Sequence, residues 1–134
     1  MKIRILIVDD EPDLLEVLAD NLSGDGFDVL FAENAEEFRR HALKSTPHII
    51  ILDIALGADN GPETYRKLVS EGLDRDIPVI FLSGLAPENT PRLPITEGRR
   101  FAMHSKPFCY DDLLRDIRAL IHFGHSNGSS AVES

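Results

Sequence analysis

At 134 residues with a formal net charge of −9, the chain has the size of one domain with its own core. Its acidity argues against unaided binding to nucleic acid or to an anionic membrane, which both need clustered Lys and Arg. No apolar run approaches the roughly 20 residues needed to cross a bilayer. Asp9, Asp10 and Glu11 end the first apolar run too early for a secretory leader, so the reading is a cytoplasmic protein. The single cysteine, Cys109, excludes an internal disulfide and reads as a packing or capping residue.

In chain order, Ile3–Val8 is an apolar run broken only by Arg4, as in a strand buried on both faces. Pro12 suits the first turn of a helix. Leu14, Leu15, Leu18 and Leu22 share one face of that helix, and Gly24 and Gly26 supply its stop. Phe27–Ala32 reads as a second strand. Asn34 followed by Glu37 makes a capping-box-like start to a helix with Phe38, Ala42 and Leu43 on its apolar stripe, ended by Pro47.

Ile49–Ile54 is the most apolar strand and is expected at the centre. Gly57–Gly61 reads as a loop. Pro62 opens a third helix carrying Tyr65, Leu68 and Val69, which Gly72 closes. Ile77–Leu82 is a fourth strand and Arg100–Ser105 a fifth. Between them, Pro87, Pro91 and Pro94 forbid a long regular helix in Leu85–Glu97. Leu113, Leu114, Ile117, Leu120 and Ile121 define a final amphipathic helix, and residues 123–134 read as a mobile polar tail behind a domain of residues 1–122.

Alternating strands and helices predict an α/β domain, a parallel sheet with helices on both faces. In such sheets ligands bind beyond the C-terminal ends of the strands, near the topological switch point. Asp9, Asp10, Asp53, Ser83 and Lys106 all fall at or just past strand ends. Clustered carboxylates repel one another, and a divalent cation relieves the repulsion. Mg2+ fits two carboxylates, a backbone carbonyl and waters. A carboxylate can itself be the nucleophile in phosphoryl transfer, with the cation and a Lys ammonium neutralising charge. Asp53, on the central strand, is the natural nucleophile, and the Ser83 hydroxyl can hydrogen-bond a phosphoryl oxygen.

These residues resemble the receiver domain of two-component response regulators, over Lys2 to Ile121. The resemblance rests on Asp9-Asp10 in LIVDDE, Asp53 in IIILDIAL with Gly61 eight residues on, Ser83 in FLSG, and Lys106-Pro107-Phe108. It implies a flavodoxin-like, doubly wound five-stranded sheet of order 2-1-3-4-5. Asp53 would take a phosphoryl group from a sensor histidine kinase or histidine phosphotransfer protein. Asp10, Asp53 and the backbone carbonyl of Ala55 would ligate Mg2+, with Asp9 acting through water. Ser83 and Lys106 would hold the phosphoryl oxygens, and the Lys106-Pro107 bond would be cis. The only chemistry would be self-phosphorylation and self-dephosphorylation. Output would pass to a downstream protein target or through a homodimer, with no nucleic acid or membrane contact.

The chain departs from the family pattern at several points. Gly57 stands where Pro is usual, and Gly84 where Ala is usual. Met103 occupies the place of the aromatic switch residue, and Phe101 two residues earlier keeps the same strand parity. The prolines of Leu85–Glu97 shorten or break the fourth helix. Ala55 and Leu85, which would flank an attacking water, cannot orient one. Three other readings compete: a receiver belonging to a longer regulator or hybrid kinase, a pseudo-receiver that binds partners without phosphorylation, and an aspartyl-nucleophile phosphatase. Against the last, the acid/base Asp such enzymes carry two residues after the nucleophile is here Ala55.

Overall fold

The computed structural model describes residues 2–84 and 101–133, with the side chains of the final helix described through Ile121. Its elements are β1 (Arg4–Val8), α1 (Pro12–Gly24), β2 (Asp28–Ala32), α2 (Ala35–Ser45), β3 (Ile49–Asp53), β4 (Ala55–Leu56), β5 (Asp59–Asn60), α3 (Gly61–Ser70), β6 (Val79–Ser83), β7 (Phe101–Ser105) and α4 (Tyr110–Glu133). The main sheet has the order β2-β1-β3-β6-β7, with every pair parallel. Setting aside the small β4–β5 hairpin, this is the predicted 2-1-3-4-5.

Each central strand is buried on both faces because its alternate residues enter different cores. Leu6, Val8, Ile50, Leu52, Val79 and Phe81 face one way, onto Phe38 and Ala42 of α2 and Tyr65 and Leu68 of α3. Ile5, Ile7, Ile49, Ile51, Ile80 and Leu82 face the other way, onto Leu15, Leu18 and Leu22 of α1 and Leu113 and Ile117 of α4. β3 is buried at all five positions, as its composition predicts. Leu43 is the exception on the α2 stripe: it is 37% exposed.

The capping reading at α2 holds. Asn34 Oδ1 accepts the Glu37 backbone N–H at 2.8 Å, and Glu37 Oε1 accepts the Glu33 N–H. The predicted loop after β3 is instead a two-residue hairpin, with β4 and β5 antiparallel. Gly57 has φ +62 and Ala58 stays at negative φ, the pattern of a type II′ turn. Proline cannot adopt that φ, so a Pro at this position would not fit this turn.

α4 runs on to Glu133, across the residues whose composition predicts a mobile tail. Extending a formed helix adds one hydrogen bond per residue without a new nucleation cost. Cys109 is exposed, standing just before α4, where its carbonyl accepts the Leu113 N–H. Leu85–Glu97, where a shortened or irregular fourth helix is predicted, lies outside the described residues. No described helix is long and apolar enough to cross a membrane.

Candidate phosphoacceptor site

The strand order reverses between β1 and β3, since the chain moves outward from β1 to β2 and then returns to place β3 on the other side of β1. Asp9 and Asp10 follow β1, and Asp53 ends β3, so the acids flank the switch point where such folds bind ligands. Backbone bonds fix these strand ends. Asp9 N–H donates to Ala32 O, Ile54 N–H to Leu82 O, and Lys106 N–H to Ser83 O at 2.7 Å.

Carboxylate oxygens of Asp9, Asp10 and Asp53 lie within 4.8 Å of one another. Opposite ligands of an octahedral Mg2+ stand roughly 4.2 Å apart, twice the ~2.1 Å bond length. The spacing therefore fits one hard cation. Asp9 is fully buried and Asp53 nearly so, while Asp10 is exposed. Asp10 points toward the hairpin: a Cβ on Gly57 would stand 3.8 Å from its Oδ2.

Asp9 Oδ1 accepts the Glu11 N–H at 2.9 Å, and Asp53 Oδ1 accepts the Ala55 N–H at 3.1 Å. Asp9 Oδ2 is buried and receives no directed hydrogen bond. Lys106 Nζ lies 2.8 Å from that oxygen as an ion pair, which satisfies its charge but leaves its lone pairs without a well-aimed donor. An under-satisfied buried carboxylate oxygen among two further acids suits a cation.

Lys106 is the cationic centre. Its Nζ also reaches Glu11 Oε1 at 2.8 Å and Asp53 Oδ2 at 3.0 Å. The Lys106-Pro107 peptide is cis, as expected. Burial works against the Lys106 charge, but its interactions with the carboxylates of Asp9, Glu11 and Asp53 outweigh it, so its pKa is raised. Burial is the main cause pushing the Asp53 carboxyl up from 3.8 to about 6. The Asp9 charge adds to the rise, and the Lys106 hydrogen bond and charge and the Ala55 N–H oppose it.

Ser83 closes the rim at the end of β6, 2% exposed and paired in register with Ser105. Phe101 packs edge-on against Phe81, with ring centroids 6.3 Å apart, and joins the core on the α2–α3 side. Met103, on the same side of β7, is 39% exposed. Leu85 lies outside the described residues. The member that sequence reasoning missed is Glu11. Its only sequence signal is its place directly after the acidic pair, and nothing in the pattern says that it turns back onto a lysine 95 residues away.

A parallel α/β domain with three acids, a buried hydroxyl residue and a lysine gathered at the switch point is a doubly wound fold with an acidic cluster spaced for a cation. The comparisons make the class specific: the response regulator receiver domain model matches residues 5–118, and the chain belongs to that family. Among curated relatives, the phosphate regulon transcriptional regulatory protein PhoB of Pseudomonas aeruginosa is 32% identical over 117 residues, covering 87% of this chain and 51% of PhoB. The transcriptional regulatory protein PrrA of Mycobacterium tuberculosis is 30% identical over 131 residues, covering 98% of this chain and 55% of PrrA. The chain thus spans about half the length of these relatives.

A CheY-like receiver domain protein from Methanospirillum hungatei JF-1 superposes with a TM-score of 0.84 at 24% identity, covering 96% of this chain and 100% of that one. The receiver domain of the sensor histidine kinase PA1611 from Pseudomonas aeruginosa PAO1, described with magnesium coordinated in its active-site cleft, superposes at 0.79 with 23% identity, covering 91% of this chain and 99% of that one. At these identities both attest the fold.

Proposed function

We propose that this receiver domain takes a phosphoryl group from a phosphohistidine of a sensor kinase or histidine phosphotransfer protein onto Asp53, in a Mg2+-dependent reaction. The observation that carries the reading is the contact of Lys106 Nζ with Asp53 Oδ2 at 3.0 Å, within a cluster of three acids spaced for one cation. A carboxylate oxygen of Asp53 forms a bond to phosphorus, the phosphorus–nitrogen bond breaks, and the electron pair leaves on the imidazole, which takes a proton from solvent.

Asp10 and Asp53 would hold the metal directly with the Ala55 carbonyl, and Asp9 would act through a water. When bound, the ion neutralises charge on the transferring oxygens. Lys106 neutralises a further oxygen, and the Ser83 hydroxyl donates to another. Transfer of this kind is governed by alignment and charge, both of which the rim can supply. Apart from this uptake and the later hydrolysis of its own acyl phosphate, the domain would turn over no substrate.

Output would be a changed contact with a downstream protein or a second copy. Phe101 and Met103, on one side of the edge strand β7, are the candidate switch residues: the first packs on the core and the second meets solvent. The test is incubation with acetyl phosphate and Mg2+, read by intact mass and size-exclusion chromatography. Wild type should gain one phosphoryl group and Asp53→Asn none. Undiminished labelling of the variant would falsify the assignment of the nucleophile.

A further inference from the structure

Glu11 occupies the N-cap position of α1, with extended φ −100 and ψ 104, yet its side chain makes no capping hydrogen bond. An N-cap side chain ordinarily accepts an N–H of the first turn, and Glu is a poor residue for that task compared with Asp, Asn or Ser. Here the carboxylate turns to the rim instead. Its Oε1 accepts from Lys106 Nζ at 2.8 Å, while its own N–H is engaged by Asp9 Oδ1.

An ammonium has three N–H donors. Lys106 faces three carboxylates at 2.8, 2.8 and 3.0 Å, those of Asp9, Glu11 and Asp53. Two of its donors are engaged by Glu11 and Asp53 and its charge is paired with Asp9, so an incoming phosphoryl oxygen must compete with these carboxylates for Nζ. Asp9 and Asp53 have side chains 0% and 6% exposed, whereas that of Glu11 is 59% exposed. Water can compensate Glu11 when it lets go, whereas the buried Asp9 and Asp53 lose the Lys106 charge at a greater cost.

We propose that Glu11 is a positioning residue that holds Lys106 aimed over Asp53 in the resting domain and yields its place to the incoming phosphoryl oxygen. The inference rests on the phosphoacceptor reading above and adds a competitor for the phosphate-binding lysine. Its consequence is directional. Weakening the Glu11 contact should favour phosphoryl-like ligands, because less must be broken to admit them. A residue that merely supported the fold would not tighten a ligand when removed.

The test is a titration of the purified domain with beryllofluoride at saturating Mg2+, followed by 19F NMR, for wild type, Glu11→Gln and Glu16→Gln. Glu16 is exposed on the same helix, so its substitution removes an equal charge at a place with no Lys106 contact. Glu11→Gln should bind beryllofluoride roughly two- to fivefold more tightly, the scale of an exposed ion pair, with Glu16→Gln matching wild type. Unchanged or weaker binding by Glu11→Gln, or equal tightening by Glu16→Gln, would overturn the inference. Absence of any binding and of acetyl phosphate labelling by wild type would instead sink the phosphoacceptor reading beneath it.

Discussion

A Cβ on residue 61 would lie 2.1 Å from the carbonyl oxygen of Asp53, so Gly61 is the only residue type that lets α3 begin where it does. The Gly61 N–H donates to Ile54 O at 2.8 Å and ties the helix start to the end of β3. The glycine therefore acts on the acceptor through its backbone. Gly61→Ala should lower unfolding free energy by about 2–3 kcal/mol, since the clash is with main chain that must move. It should also weaken Mg2+ binding by displacing Asp53. Urea denaturation and calorimetric Mg2+ titration check this; a variant matching wild type in both would show that the strand end yields freely.

Lys106 counters a buried pair of carboxylates. Lys106→Met should leave Asp9 and Asp53 without their cation, destabilising the metal-free domain by about 2–4 kcal/mol at pH 7.5. Millimolar Mg2+ should recover much of the loss, because the ion replaces the missing positive charge. Thermal melts with EDTA and with Mg2+ measure both effects, and an equal loss under the two conditions would contradict the electrostatic account.

The raised Asp53 pKa of about 6 fixes the sign of a pH effect. The folded metal-free state holds this proton more tightly than the unfolded chain, whose carboxyl has the ordinary value near 3.8. Asp53 therefore favours folding below about pH 4, and that advantage is lost as pH rises to about 6. In chelator, the stability of wild type relative to Asp53→Asn should fall across this window by on the order of 1–3 kcal/mol, at ~1.4 kcal/mol per unit. Urea unfolding curves at stepped pH values give the difference, and a flat profile would refute it. Mg2+ at pH 7.5 should offset the loss by binding the folded state.

An aspartyl phosphate is lost when water attacks it in line. By family position Ala55, exposed at the start of β4, and Leu85, which lies outside the described residues, are expected to flank that approach, and neither side chain carries a polar group. The phosphorylated domain should therefore keep its phosphoryl group for hours with Mg2+ present. Intact-mass sampling after removal of acetyl phosphate measures the decay; a half-life of seconds would mean that another group orients the water.

Much of this was legible in one dimension. Strands β1 and β3 announced themselves because parallel strands buried on both faces lack polar alternation, and each ends on an acid that the helix crossover leaves at the rim. Asn34 and Glu37 marked the start of α2 because capping is local. The hairpin after Asp53 was missed: a two-residue strand pair has too few side chains to show a period, and Gly57 alone reads equally as loop.

The sequence by itself determined the class of fold, the family, and the acids, hydroxyl and lysine of the rim, because residue type and order carry that information. Only the tertiary structure decided how they interact. It set Lys106 against Asp9, Asp53 and Glu11, buried Asp9 while leaving Asp10 in water, and passed the Asp53 carbonyl over Gly61. Those relations depend on distances between strands far apart in the chain, which no local pattern encodes.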